Sequence, residues 1–92
     1  MTDKQKKLYK AIDEILWKDW DPIGVNDIED VRDEYQGYTP LILKLVKSKS
    51  DSTKIAEKLY EIETELIGLS GNYENCLKVA EKINNLEKKN VV

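Results

Sequence analysis

The chain has 92 residues, 36% of them charged, 40% hydrophobic and 8% aromatic, with a formal net charge of −3 and no histidine. A chain this short builds one small core, so a single helical domain over 1–92 is expected, with only about 60–65% of the unfolded surface buried. The missing histidine removes Ser-His-Asp and Cys-His catalytic sets, imidazole proton shuttles and the usual zinc and non-haem iron sites.

Any metal would need a site of carboxylates and carbonyls, meaning calcium or magnesium. The acidic balance argues against generic binding to nucleic-acid phosphates, which needs clustered lysine and arginine. No run of 18 apolar residues is present to cross a membrane, and Met1-Thr2-Asp3-Lys4-Gln5-Lys6-Lys7 leads into no apolar segment of the signal-peptide kind. Cys76 is the one cysteine. It cannot form an internal disulfide, fits a reducing cytoplasm, and reads as a small buried helix residue.

Residues 2–19 read as the first helix. Thr2 and Gln5 form a capping box, and Leu8, Ile12, Ile15 and Leu16 recur at helical spacing beside Ala11. Lys4, Lys6, Lys7, Lys10 and Lys18 spread around the remaining faces as a solvated surface.

The helical pattern stops at Trp20-Asp21-Pro22-Ile23-Gly24-Val25-Asn26. Asp21-Pro22-Ile23-Gly24 fits a type I turn, with aspartate first, proline second and glycine fourth. Pro22 also drives Asp21 out of the α region, so the helix should end near Asp19 or Trp20. Trp20, Ile23 and Val25 are too apolar for a free loop, since fully burying each is worth roughly 1.5–3 kcal/mol. A bend packed over one end of the helices is expected.

Loop 20–33 is acidic. Asp19, Asp21, Asp27, Glu29, Asp30, Asp33 and Glu34 face only Arg32, the sole arginine in the chain. The planar fork of Arg32 suits a carboxylate partner within the loop or on a later helix. Counting Asp19 as position 1 gives a partial calcium-loop pattern through Asp21, Gly24, Asp27 and Asp30. Ile23 at position 5, Asn26 at position 8 and the stiff Pro22 depart from it, so calcium is not expected.

A second helix should cover 34–48, with Tyr35, Tyr38, Ile42, Leu45 and Val46 on one stripe. Thr39-Pro40 suits a helix start with Thr39 as cap, so a break or kink is expected near residue 39. After the polar stretch Ser48-Lys49-Ser50-Asp51, the third helix runs from Ser50 or Asp51 to about Ile67. It buries Ile55, Ala56, Leu59, Ile62, Leu66 and Ile67, and Gly68 ends it in the left-handed conformation. Asn72 caps a fourth helix over 73–88 that buries Cys76, Leu77, Val79, Ala80, Ile83 and Leu86. Asn90-Val91-Val92 should fray. Short connections favour antiparallel neighbours. The fold class is therefore all-α, a small antiparallel four-helix arrangement with a structured acidic loop between helices 1 and 2.

Glu63 sits at the edge of the third helix's apolar stripe, where a carboxylate needs partners because unpaired burial of charge is very costly. It reads either as a strut between helix and loop or as one wall of a pocket with Asp21 and Glu34. Tyr35 and Tyr38, next to the acidic loop, suit a protein-binding patch.

The segments Trp20-Asp21-Pro22-Ile23-Gly24-Val25, Asp33-Glu34-Tyr35 with Tyr38 and Pro40, Ile62-Glu63-Thr64-Glu65 and Gly68-Leu69 together resemble a group of short bacterial proteins of unknown function. That group has a Trp-Asp-Pro-Ile-Gly-Val motif and an Ile-Glu-Thr-Glu helix, and the resemblance spans roughly residues 8–86. It implies a small helical domain and carries no biochemical activity. Some members have a histidine after Ile-Glu-Thr-Glu; this chain has Leu66 there.

The expected function is a non-enzymatic bacterial interaction module in the cytoplasm, monomer or homodimer, without cofactor, metal, nucleic acid or membrane. Its partner would be a protein with a basic surface, and an immunity- or antitoxin-like inhibitor is one version. The candidate surface is Trp20, Asp21, Asp27, Asp30, Glu34, Tyr35, Tyr38 and Glu63. The alternative is a small-ligand or cation-binding protein using the Asp21, Glu34 and Glu63 carboxylates.

Overall fold

Three of the four helices begin where a side chain satisfies one of their first amides. The computed structural model describes residues 2–49 and 51–88, the last two by backbone alone; the tail expected at Asn90-Val91-Val92 lies outside them. Helix α1 spans Asp3–Ile15, α2 Thr39–Lys47, α3 Ser52–Glu61 and α4 Tyr73–Lys88, and there is no strand among the described residues. The Thr2 hydroxyl accepts from the Gln5 amide and the Gln5 side chain accepts from the Thr2 amide, both at 3.2 Å, closing the capping box at α1. Asp51 caps α3 by accepting from the Lys54 amide at 3.0 Å, and Asn72 caps α4 by accepting from the Asn75 amide at 3.1 Å.

Two helices do not simply stop. α1 continues into a π turn over Leu16–Trp20, closed by the Asp21 amide on the Leu16 carbonyl at 3.0 Å. α3 does the same over Ile62–Leu66, closed by the Ile67 amide on the Ile62 carbonyl at 2.9 Å. A π turn holds more residues per revolution than an α turn and shifts which side chains face inward. Leu16, Trp17 and Trp20 are all buried by the first, Ile62 and Glu63 by the second.

After each widened turn the chain takes left-handed backbone, at Asp21 (φ 30°) and at Gly68 (φ 88°). Gly68 thus ends the third helical run as its spacing predicts. Asp21-Pro22-Ile23-Gly24 closes as expected, with the Gly24 amide on the Asp21 carbonyl at 3.1 Å.

The second helix is shorter than 34–48. Residues 32–35 are turns, Gln36–Tyr38 is a single 3₁₀ turn, and α2 starts only at Thr39. Thr39 is not its cap: with φ −55° and ψ −43° it already has helical backbone, and its side chain is buried. Pro40 sits in the first turn, where its missing amide proton is no loss. Leu43 joins Ile42 and Val46 in the core, while Leu45 is only half-buried.

α3 and α4 form the most extensive helix pair; α1 lies on α2 and α4, and α2 on α3. Trp17 and Trp20 pack into this core, so the bend is anchored rather than loose. Leu66, expected inside, is 65% exposed, because the π turn rotates it outward.

Gly71 lies between the second π turn and α4 at φ 89°, and a Cβ there would sit 2.6 Å from both Tyr60 Cε1 and Thr64 Cγ2. Gly71→Ala is expected to lower the unfolding free energy by about 1–3 kcal/mol in urea titration. Gly37→Ala, at a position with open space around it, should stay within about 0.5 kcal/mol of the parent.

Candidate functional site

The bend over 20–26 is built on two carboxylates. Asp21 accepts from the Val25 amide at 2.8 Å and the Asn26 amide at 3.2 Å. Its Oδ1 also takes the Tyr35 hydroxyl proton at 2.7 Å. The same tyrosine oxygen accepts from the Ile23 amide at 3.1 Å. Aspartate is among the few residues that tolerate left-handed backbone, and these bonds hold Asp21 there.

Above that network lie the aromatic rings. Tyr35 is 5.3 Å from Trp20 and 6.1 Å from Trp17, centroid to centroid, and Tyr38 meets Trp20 edge-on at 6.1 Å. Arg32 closes one side, pairing through Nη2 with Asp13 at 3.1 Å and lying 5.1 Å from the Trp17 ring centroid. The arginine therefore ties the acidic segment back to α1, not to itself or to a later helix. Its stacking partner, Trp17, has no place in the regular apolar spacing of a straight α1.

The second carboxylate, Glu63, is buried. Oε1 accepts from Trp20 Nε1 at 2.8 Å and from the Cys76 thiol at 3.2 Å, while Oε2 accepts from the Asn72 amide. Asn75 Nδ2 donates to the Asp19 and Trp20 carbonyls at 3.5 and 3.4 Å, covering exposed ends of the α1 run. Burial, and after it the hydrogen bond to Glu63, push the Cys76 thiol up to about 12. Burial, and after it the hydrogen bond to Asp21, raise the Tyr35 phenol far above its ordinary 10.0.

Of the candidate residues, Trp20, Tyr35 and Glu63 are buried and Tyr38 is half-buried. Tyr35 keeps 1% of its surface exposed and Trp20 2%, so neither meets a partner directly. They shape the surface from beneath. Asp27, Asp30 and Glu34 are exposed, as are Glu29 and Asp33. Two residues of this segment escaped sequence reading as surface: Ile23 is 41% and Ile28 47% exposed.

Asp21 and Glu63 do border one hollow, of about 270 Å³, with Trp20, Pro22, Leu69, Gly71, Asn72 and Asn75. Glu34 is exposed and not part of it, so the three-carboxylate pocket does not form. The hollow is smaller than the roughly 300–1,000 Å³ of ordinary ligand sites, and each carboxylate facing it already accepts three hydrogen bonds. Among the described residues, no group of three or more acidic, cysteine or histidine side chains could hold a metal ion.

Comparison with protein-family models, curated proteins and solved structures gives no match. What the site can do rests on its own geometry.

Replacing Glu63 by Ala would leave an indole N–H, a thiol and a backbone amide without acceptors. Glu63→Ala is expected to lower the unfolding free energy by about 3 kcal/mol and to shift the tryptophan emission. Glu65→Ala, on the exposed side of the same turn, should change stability by less than about 0.5 kcal/mol.

The raised thiol and phenol make stability fall in alkali. An unfolded thiol ionises near 9.0, whereas folded Cys76 keeps its proton to about 12. The unfolded chain therefore releases a proton first, and the contribution of Cys76 is full below pH 9 and lost as pH rises to 12. Tyr35 adds a loss of the same sign beginning near 10. Ultraviolet titration should find one of the five tyrosines ionising only with unfolding, and Tyr35→Phe should abolish that delayed step.

Proposed function

We propose that this chain is a small, non-enzymatic interaction module whose acidic segment docks on a protein with a basic surface. The observation that carries the reading is a run of exposed carboxylates, Asp27, Glu29, Asp30, Asp33 and Glu34, none of which has an ion-pair partner among the described residues. Arg32, the only cation within the run, is already committed to Asp13. Such a run attracts a positive surface at long range and sets the orientation of encounter.

The bend beneath it supplies rigidity. Because Asp21, Tyr35 and Trp20 are cross-linked by hydrogen bonds and packing, little conformational freedom remains to be lost on docking. The reading takes the helices as an antiparallel bundle, as their short connections favour, in a bacterial cytoplasmic protein of the Trp-Asp-Pro-Ile-Gly-Val group. An immunity- or antitoxin-like inhibitor of a basic partner is the specific version. No helix of the described residues is long and apolar enough to cross a membrane.

The test is affinity capture at low and high salt with the parent chain, Asp27→Lys/Asp30→Lys, and the charge-matched control Asp3→Lys/Glu57→Lys. A genuine partner should bind the parent and the control, and associate at least about tenfold more slowly with the Asp27/Asp30 variant. If no protein distinguishes that variant from the control, the reading fails.

A further inference from the structure

The acidic segment has a complement on the same molecule. Between α1 and α2 runs a groove of about 340 Å³ lined by Tyr9, Pro40, Leu43, Lys44, Lys47 and Ser48. Tyr9, Pro40 and Leu43 supply its apolar lining, and Lys44 and Lys47, both exposed, come from the last turn of α2. Neither lysine has an ion-pair partner among the described residues. The acidic segment carries the reverse of this: two isoleucines, Ile23 and Ile28, 41% and 47% exposed, the second flanked by Asp27, Glu29 and Asp30, which likewise lack ion-pair partners among the described residues.

We propose that a second copy of this chain occupies the groove, the Ile23–Ile28 segment of one copy seating against Tyr9 and Leu43 of the next, with its carboxylates facing Lys44 and Lys47. Charge complementarity selects this occupant over a neutral apolar one: the groove carries two lysines without ion-pair partners, and this segment pairs exposed apolar side chains with carboxylates that also lack them. The two surfaces are different patches of the molecule. The contact is therefore heterologous and leaves one groove and one acidic segment free at the ends of every assembly, which grows unless a ring closes. One groove and two isoleucines make a contact well below the roughly 1,000 Å² of a stable interface, so the association is weak and sensitive to salt.

The proposal uses the acidic segment that also carries the proposed function, but needs no foreign partner. Sedimentation velocity of the full chain, from about 10 μM to 1 mM in about 20 mM and 500 mM salt, tests it. The mean mass should rise with concentration in low salt and return towards monomer in high salt. Lys44→Glu/Lys47→Glu should remain monomeric, as should Ile23→Ser/Ile28→Ser. Mixed in equal amounts, the two variants should form a dimer that grows no further, because each supplies the one surface that the other lacks. Lys44→Gln/Lys47→Gln replaces the reversal if circular dichroism shows α2 weakened by it. A parent chain that stays monomeric in low salt overturns the proposal. So does association that neither variant reduces, or a variant mixture that stays monomeric while the parent associates. Lys44→Glu/Lys47→Glu leaves the acidic segment whole, so its capture of a foreign basic protein tells failure here from failure of the proposed function.

Discussion

Trp20 and Glu63 are 43 positions apart, and the 2.8 Å hydrogen bond between indole and carboxylate joins the widened last turns of α1 and α3 in the interior. A buried carboxylate without compensation would be strongly destabilising. Here it is compensated three times, by the indole, the Cys76 thiol and the Asn72 amide. The last two come from the start of α4, where the helix dipole presents its positive end. One side chain thus fixes the exit of α1, the exit of α3 and the entry of α4 relative to one another. An apolar residue of similar size could fill the volume but would orphan all three donors, which is the more costly outcome in a low-dielectric interior.

That junction anchors the start of the irregular acidic segment. From Asp21 to Tyr38 the chain has only single helical turns, yet both ends are held: Trp20 by Glu63, Tyr35 by Asp21 and the two indoles, Arg32 by Asp13. The buried aromatics and the exposed acids divide the labour. The former determine where the segment lies, and the latter set the charge of its surface. Mutation of a buried member would alter the shape of the segment, whereas mutation of an exposed acid would alter its charge alone.

How much of this could be read in advance depended on whether the signal was periodic or local. α1, α3 and α4 were legible because apolar residues recur every three or four positions and Thr2, Asp51, Asn72 and Gly68 mark their ends. The bend was legible from Asp21-Pro22 and Gly24. The π turns were not, since no residue type demands one; they arise because tertiary packing of Trp17, Trp20 and Glu63 outweighs the geometry of a regular last turn. Missing them meant missing Trp17 as core and placing Leu66 inside. Tyr35 and Trp20 read as candidate surface, but amphipathic aromatics suit rim and interior equally well, and only the Asp21 and Glu63 acceptors, remote in sequence, decide for the interior. Arg32 paired backwards to α1 because Asp13 lies beside the Trp17 face on which the guanidinium stacks, a three-body arrangement that pairwise spacing does not disclose.

The charge distribution has an energetic consequence for the surface as a whole. Five carboxylates held close together with their one local cation turned inward repel one another, and that repulsion opposes the folded state most at low ionic strength. A fold selected for stability alone would intersperse lysines among them, as it does where Lys82 meets Asp19 and Lys58 meets Glu61 on the other helices. Here the lysines lie elsewhere, Lys44 and Lys47 at the end of α2 and Lys4, Lys6, Lys7 and Lys10 spread around the start of α1. The repulsion over residues 27–34 is therefore left without compensation from any ion pair among the described residues.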